Sequence, residues 1–276
     1  MIKKSLIVLL LLLAESVCAQ LKPAQPEPIE QPELRPSRFP DRPQRSEIRV
    51  PRRNVYVAQY QPNTAEKKLL TPAAEDAQNF AEFLRQPNTG LIRIFPARPS
   101  RVVWVDQLES GQGPGFIKFA SIYSFTKAKH GNALEGYVDP RLGWAELKFD
   151  QGMFITGFTG NSVGVLASLG DVVLQNVTTA TPGAAAIADF KPPVDYLEEH
   201  RFLQATRAGF TFNGVAYKAS IPVTVNTTYA LRSISNRRAD LLVAFRVVRE
   251  HEDGSVTVLW KKLKINQKPF WKKKPE

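Results

Sequence analysis

Residues 240–264 read DLLVAFRVVREHEDGSVTVLWKKLK, two strongly apolar runs on either side of Asp253-Gly254. Side chains alternate between the two faces of an extended chain, so Leu241, Val243, Phe245 and Val247 fall on one face. Leu242, Ala244, Arg246 and Val248 fall on the other, and that face is mostly apolar too. A strand that is apolar on both sides belongs in the interior of a sandwich or beneath a helix, because neither face can be left to water. The Asp-Gly pair between the runs predicts a tight hairpin turn with positive φ at its central positions.

Working outward, the chain keeps the same character. Residues 91–95, 101–108, 115–126, 144–149 and 153–158 are rich in Val, Ile, Phe, Tyr and Trp, and clusters of Gly, Pro and Asn separate them, the pattern of an antiparallel meander. Asn213-Gly214 predicts a second hairpin. One helix is expected over about 72–86. Thr71 would cap it and Pro72 open it, Glu75 and Asp76 lie in its first turn, and Pro87 and Gly90 end it. Residues 178–193 read as a loop, and 195–207 fit a short helix or a strand equally well. No internal repeat occurs. The expected fold is mainly β, an antiparallel sandwich or open barrel with one short packing helix, formed by a single domain over 54–265.

The two ends differ from this middle. Residues 1–19 carry Lys3 and Lys4, then an apolar run too short to cross a bilayer, then Val17-Cys18-Ala19 before Gln20, which is the layout of a secretory signal peptide. Cys18 is the only cysteine. Its removal would leave a mature chain without disulfide or thiolate chemistry; lipidation of Cys18 is the alternative, disfavoured by Val17 before it. Residues 20–53 hold eight prolines and seven arginines, too little apolar surface to offset ordering, and read as a disordered Pro/Arg-rich linker. Residues 266–276 read as a flexible basic and aromatic tail. There Phe270, Trp271, Lys272, Lys273 and Lys274 offer a weak contact to an anionic surface, and a frayed terminus is the plainer reading. Of the formal net charge of +11, much lies in these ends and no dense Lys/Arg stripe marks the middle, so a nucleic-acid partner is not expected.

The stretches "LASLGDVVLQNVT", "GFTFNGVAYKASIPVTV" and "TYALRSISNRRADLLVAFRVVREHEDGSVTVLWKKLK" resemble an uncharacterised family of exported, β-rich bacterial proteins. The resemblance covers the C-terminal half. It implies export and a β-rich domain, and it brings no activity and no site residue.

For chemistry, Gly160-Asn161-Ser162-Val163-Gly164 spells G-x-S-x-G. Ser162 is a nucleophile only if a strand precedes it and a helix follows at once. Gly164, Gly170 and Val163 oppose such a helix, and a glycine bend is the favoured reading. His130, His200 and His251 are far apart and form no metal motif. Asp106, Glu109, Glu135, Asp139, Glu146 and Asp150 could supply a carboxylate pair only by meeting in space. No cofactor motif appears. The expected function is a non-catalytic exported module that binds or scaffolds an envelope or extracellular protein or a glycan, with contacts from strand edges and from aromatics such as Trp104, Trp144 and Trp260. The alternatives are a secreted hydrolase using Ser162 or a carboxylate pair, and peripheral membrane attachment through the C-terminal tail. Mass measurement of the protein recovered from the producing cell should give a mature chain starting at Gln20; a chain starting at a lipid-modified Cys18 would contradict cleavage after Ala19, and an uncleaved chain would contradict the signal peptide.

Overall fold

The computed structural model describes residues 64–97, 120–138, 144–159 and 161–272; the expected signal peptide, linker and residues 101–119 lie outside them. Among the described residues three short helices come first, α1 (Thr64–Leu70), α2 (Ala74–Asn79) and α3 (Ala81–Leu84). Strands β1 (Thr89–Ile94), β2 (Ile122–Tyr123), β3 (Leu147–Asp150), β4 (Met153–Ile155) and β5 (Ser162–Gly170) follow. Helices α4 (Ala184–Ala188) and α5 (Tyr196–Ala208) then precede β6 (Phe210–Phe212), β7 (Val215–Lys218), β8 (Ser220–Pro222), β9 (Thr228–Ser235), β10 (Ala239–Glu250) and β11 (Val256–Ile265).

The strands form two antiparallel sheets. The larger runs β1-β11-β10-β9-β5-β7-β6 and the smaller β2-β3-β4-β8, and neither closes into a barrel. The result is an antiparallel sandwich, one of the two arrangements expected. Its position in the middle of the larger sheet explains why β10 is apolar on both faces. Leu241, Val243, Phe245 and Val247 pack with Trp260 against Phe125, Phe149 and Phe154 on the smaller-sheet side. Leu242 packs on the opposite side with Ala184 and Ile187 of α4, and Ala244 with Phe83 of α3 and Leu174. Each face thus has its own apolar cover, one of strands and one of helices.

The helical cover is tied down by arginines that project from the sheet. On β9, Arg232 makes a two-point contact with Asp240, Nε to Oδ1 at 2.9 Å and Nη2 to Oδ2 at 2.8 Å, with side chains only 3% and 1% exposed. Its Nη1 donates to the carbonyls of Ile187, Ala188 and Phe190 at 2.6, 3.1 and 2.6 Å, satisfying backbone acceptors that the end of α4 would otherwise leave open. On β10, Arg246 reaches Asp171 at 2.6 Å and the Val172 carbonyl at 3.0 Å. Arg249 reaches Asp76 of α2 at 2.7 Å. The acid expected to serve the dipole of the first helical turn is therefore also a tether to the sheet.

The expected helix over 72–86 is broken in two at Phe80, and Thr71 is not its cap. The Thr71 hydroxyl donates back to the Lys67 carbonyl at 2.6 Å, closing α1, a helix the sequence reading did not anticipate. Among the described residues the longest helix is α5. Asp195 caps it, accepting from the amides of Leu197 and Glu198 at 2.9 Å each, and Gly209 ends it at φ 83°. Gly90, read as a helix stop, lies within β1 facing Trp260, where an added Cβ would sit 2.4 Å from the indole. The Asn213-Gly214 turn has positive φ at both residues, 49° and 77°, as its dipeptide requires. At the β10–β11 turn Gly254 is positive at 75° and Asp253 is not. The His251 amide donates to the Ser255 carbonyl at 2.9 Å, leaving a three-residue loop in place of the two-residue turn.

Arg232→Met should cost about 3–5 kcal/mol in urea denaturation, because it strands the Asp240 carboxylate in the interior. Adding Asp240→Leu to that variant should recover part of the loss. A single-variant loss below about 1 kcal/mol, the scale of an exposed pair, would show that the pair does not anchor the helices.

Candidate functional site

Ser162 opens β5 and is 3% exposed. Its hydroxyl donates to the Thr159 carbonyl, and its Oγ lies 2.8 Å from Thr159 Oγ1. It is the first residue of a nine-residue strand, whereas a nucleophile elbow needs a helix there. The second glycine of the motif serves packing, since a Cβ on Gly164 would lie 2.1 Å from Thr156 Oγ1. The histidines have other partners: His251 Nε2 meets Thr257 Oγ1 at 2.8 Å, and His200 Nε2 meets the Gln204 side chain at 3.0 Å on α5. Ser162 and Gly164 thus lie together in one strand.

The acids are dispersed in the same way. Glu135 pairs with Lys129 at 2.8 Å and Asp150 with Lys148 at 2.7 Å; Asp106, Glu109 and Asp139 lie outside the described residues. Among the described residues no three His, Cys, Asp or Glu side chains are grouped so as to hold a metal ion. Glu146 is the unusual one. It is buried, and its Oε1 accepts from Thr126 Oγ1 at 2.7 Å. Burial pushes its carboxyl above the ordinary range, and hydrogen bonds from Thr126 and Ser124 oppose this only in part. Lys262 interacts with it electrostatically but is itself held low by burial.

Two surface features remain once chemistry of this kind is set aside. The first is the β6 edge. All three residues of β6 are exposed, Phe212 by 54%, and among the described residues no strand pairs its outer side. Phe210 stacks on Tyr217 at 5.2 Å and 17°. Beside it an apolar cleft of about 250 Å³ is lined by Val165, Ile187, Phe190, Phe202, Phe210 and Phe212. A wider recess of about 570 Å³, lined in part by Pro182, Ala185, Asp189 and Asn213, adjoins it through Phe190, Phe212 and Tyr217.

The second lies where the C-terminal segment folds back on the domain. Trp271 is 1% exposed and packs against Val163, Ile234 and Tyr196, its ring edge-on to Tyr196 at 6.0 Å. Its amide donates to Asn236 Oδ1 at 2.9 Å, and the Lys272 amide to the Val194 carbonyl at 2.9 Å. Through Lys272 the segment is thus docked, and Trp271 is a core residue, neither frayed nor a surface contact, the two readings its sequence offered. Trp260 is likewise fully buried, while Trp104, Lys273 and Lys274 lie outside the described residues. Phe270 is 61% exposed. It borders a cleft of about 530 Å³ with Asn161, Tyr196, Asn236, Arg237 and Arg238. None of these three clefts was legible in the sequence, since each is assembled from segments far apart in the chain.

No family model matches the chain, nor does any curated protein or solved structure.

The Glu146 shift has a definite sign. A carboxyl whose value is raised on folding holds its proton more tightly in the native state, so its contribution is fully present below the ordinary glutamate value and is lost as pH rises through the raised one. Glu146→Gln should therefore gain stability relative to wild type as pH rises from the ordinary glutamate range, read from urea midpoints between about pH 4 and 8. A difference that stays constant with pH would contradict a raised Glu146.

Proposed function

We propose that the protein is an exported, non-catalytic module of the cell envelope that holds a partner protein by accepting an extended segment along β6. The observation that carries this reading is the open edge Phe210-Thr211-Phe212, uncharged and exposed beside an apolar cleft. Edge strands of soluble proteins are normally blunted by charge, proline or cover, because unpaired peptide groups template further pairing. Here two phenylalanines stand in place of those guards. An added strand would pair with the edge by backbone hydrogen bonds and seat one apolar side chain in the cleft, the mode by which sheets capture peptides.

Export is supported by the signal-like start and by the resemblance of the C-terminal half to exported β-rich proteins. The Pro/Arg-rich stretch would serve as the spacer that displays the domain. The strand bearing Ser162 and the dispersed acids support binding over hydrolysis. Burial of Trp271 takes one of the two aromatics out of membrane attachment.

A photo-crosslinking phenylalanine analogue at position 212, expressed in the producing cell, should give one discrete protein adduct. Thr211→Pro should abolish that adduct, since proline cannot donate to a new strand pair. The same analogue at Val173, an exposed apolar position away from β6, should give none. Equal adducts at both positions, or none at 212, would contradict the proposal.

A further inference from the structure

The cleft beside the C-terminal segment has a chemistry that the β6 edge lacks, and it shares no lining residue with the apolar cleft there. We infer that it is a binding site for an acidic saccharide, a sugar carrying a carboxylate or phosphate, which Arg237 and Arg238 would hold by the oxyanion and Phe270 by the ring.

The arginines are the first observation. Arg93, Arg232, Arg246 and Arg249 each face a carboxylate within 3.0 Å. Arg237 and Arg238 face none among the described residues and are parked over aromatic rings. The Arg237 guanidinium carbon lies 4.5 Å from the Phe270 ring centre and that of Arg238 5.1 Å from the Trp144 ring centre. Lys127 lies 5.8 Å from the same Trp144 ring, so the rim is cationic, and no acid lines the cleft. A guanidinium stacked on a ring keeps its N–H edge free and its plane fixed, the state from which it grips a carboxylate or phosphate at two points.

The backbone is the second. Arg237 occupies the third place of the Ser235–Arg238 turn, in which the Arg238 amide donates to the Ser235 carbonyl at 3.0 Å. Its φ is +61°, a place that turns ordinarily fill with Gly or Asn. Its amide donates to the Pro269 carbonyl at 2.7 Å, a bond any residue other than proline could supply. Neither the turn nor that bond needs an arginine side chain. A costly conformation retained for a side chain with no structural carboxylate points to use of that side chain.

The rest of the lining suits a sugar better than a bare anion. The cleft of about 530 Å³ falls in the range of small-molecule sites. The exposed Phe270 ring offers an apolar platform, and Asn161 and the Tyr196 hydroxyl offer neutral hydrogen-bonding groups. The Asn236 amide is already oriented, its Nδ2 toward the Tyr196 hydroxyl at 3.3 Å and its Oδ1 accepting from Trp271.

Titration calorimetry on the mature chain tests this with a uronic-acid disaccharide, a hexose phosphate, their neutral counterparts and inorganic phosphate. At least one of the two acidic sugars should bind tenfold or more tighter than both its neutral counterpart and inorganic phosphate. Arg237→Asn should weaken that binding tenfold or more while leaving Tm at or above wild type, since Asn accepts positive φ readily. Phe270→Ala should weaken the sugar without changing the response to inorganic phosphate. Equal binding of acidic and neutral sugars, inorganic phosphate binding as tightly as the sugars, uptake by anionic lipid vesicles with no sugar binding, or an Arg237→Asn variant that binds normally would each overturn the inference. Because the β6 edge is untouched by these variants, crosslinking at Phe212 remains an independent result.

Discussion

The fold depends on a guanidinium kept out of water. Arg232 gives two N–H groups to Asp240 and a third nitrogen to three backbone carbonyls at the end of α4. A buried ion pair is weak evidence of net stability, because desolvation can cancel its attraction. Its strength here is in specificity. Asp240 is the second residue of β10, Arg232 lies three residues before the end of β9, and the carbonyls belong to the last turn of a five-residue helix with little stability of its own and to Phe190 just beyond it. Only one placement of α4 over the sheet pairs all of these groups. With α4 in place, Ile187 and Ala184 cover Leu242 and Ala230, and the second apolar face of the central strands is shielded.

The same division explains where the surface can act. Between its two covers the larger sheet is inaccessible through most of its width. It is exposed along β6 on one flank and at strand ends and turns, among them the β9–β10 turn. The β6 edge is apolar with open backbone groups, the β9–β10 turn cationic with an exposed ring. A single scaffold thereby presents two unlike surfaces, and the residues that build its interior are not spent on either.

Much of the architecture was legible in local sequence. The alternation through residues 241–248 foretold a strand covered on both faces, and Asn213-Gly214 foretold its hairpin because both dihedrals are dictated by the dipeptide. Residues 195–207, the cap and body of helix α5, stayed open between helix and strand for a physical reason. Their composition is polar, so periodicity was silent, and the signal lay in Asp195, Glu198 and Gly209, a cap, an acid in the first turn and a stop. Trp271 was misplaced because a run of lysines reads as solvent-facing, whereas its fate is decided by Asn236 and Tyr196, partners 35 and 75 positions earlier in the chain. The arginine cleft could not be read at all: residues 161, 196, 236–238 and 270 meet only after the hairpin, α5 and the C-terminal segment are in place.

The central claim is that the sheet is clad on both faces and open at β6. Amide hydrogen exchange on the native protein tests it most directly. The account predicts the slowest exchange in β9, β10 and β11, approaching the rate set by global unfolding, and exchange faster by orders of magnitude at β6. Protection of Phe210–Phe212 equal to that of β10 would show the edge already covered, and rapid exchange along β10 would show that the helical layer does not shield it.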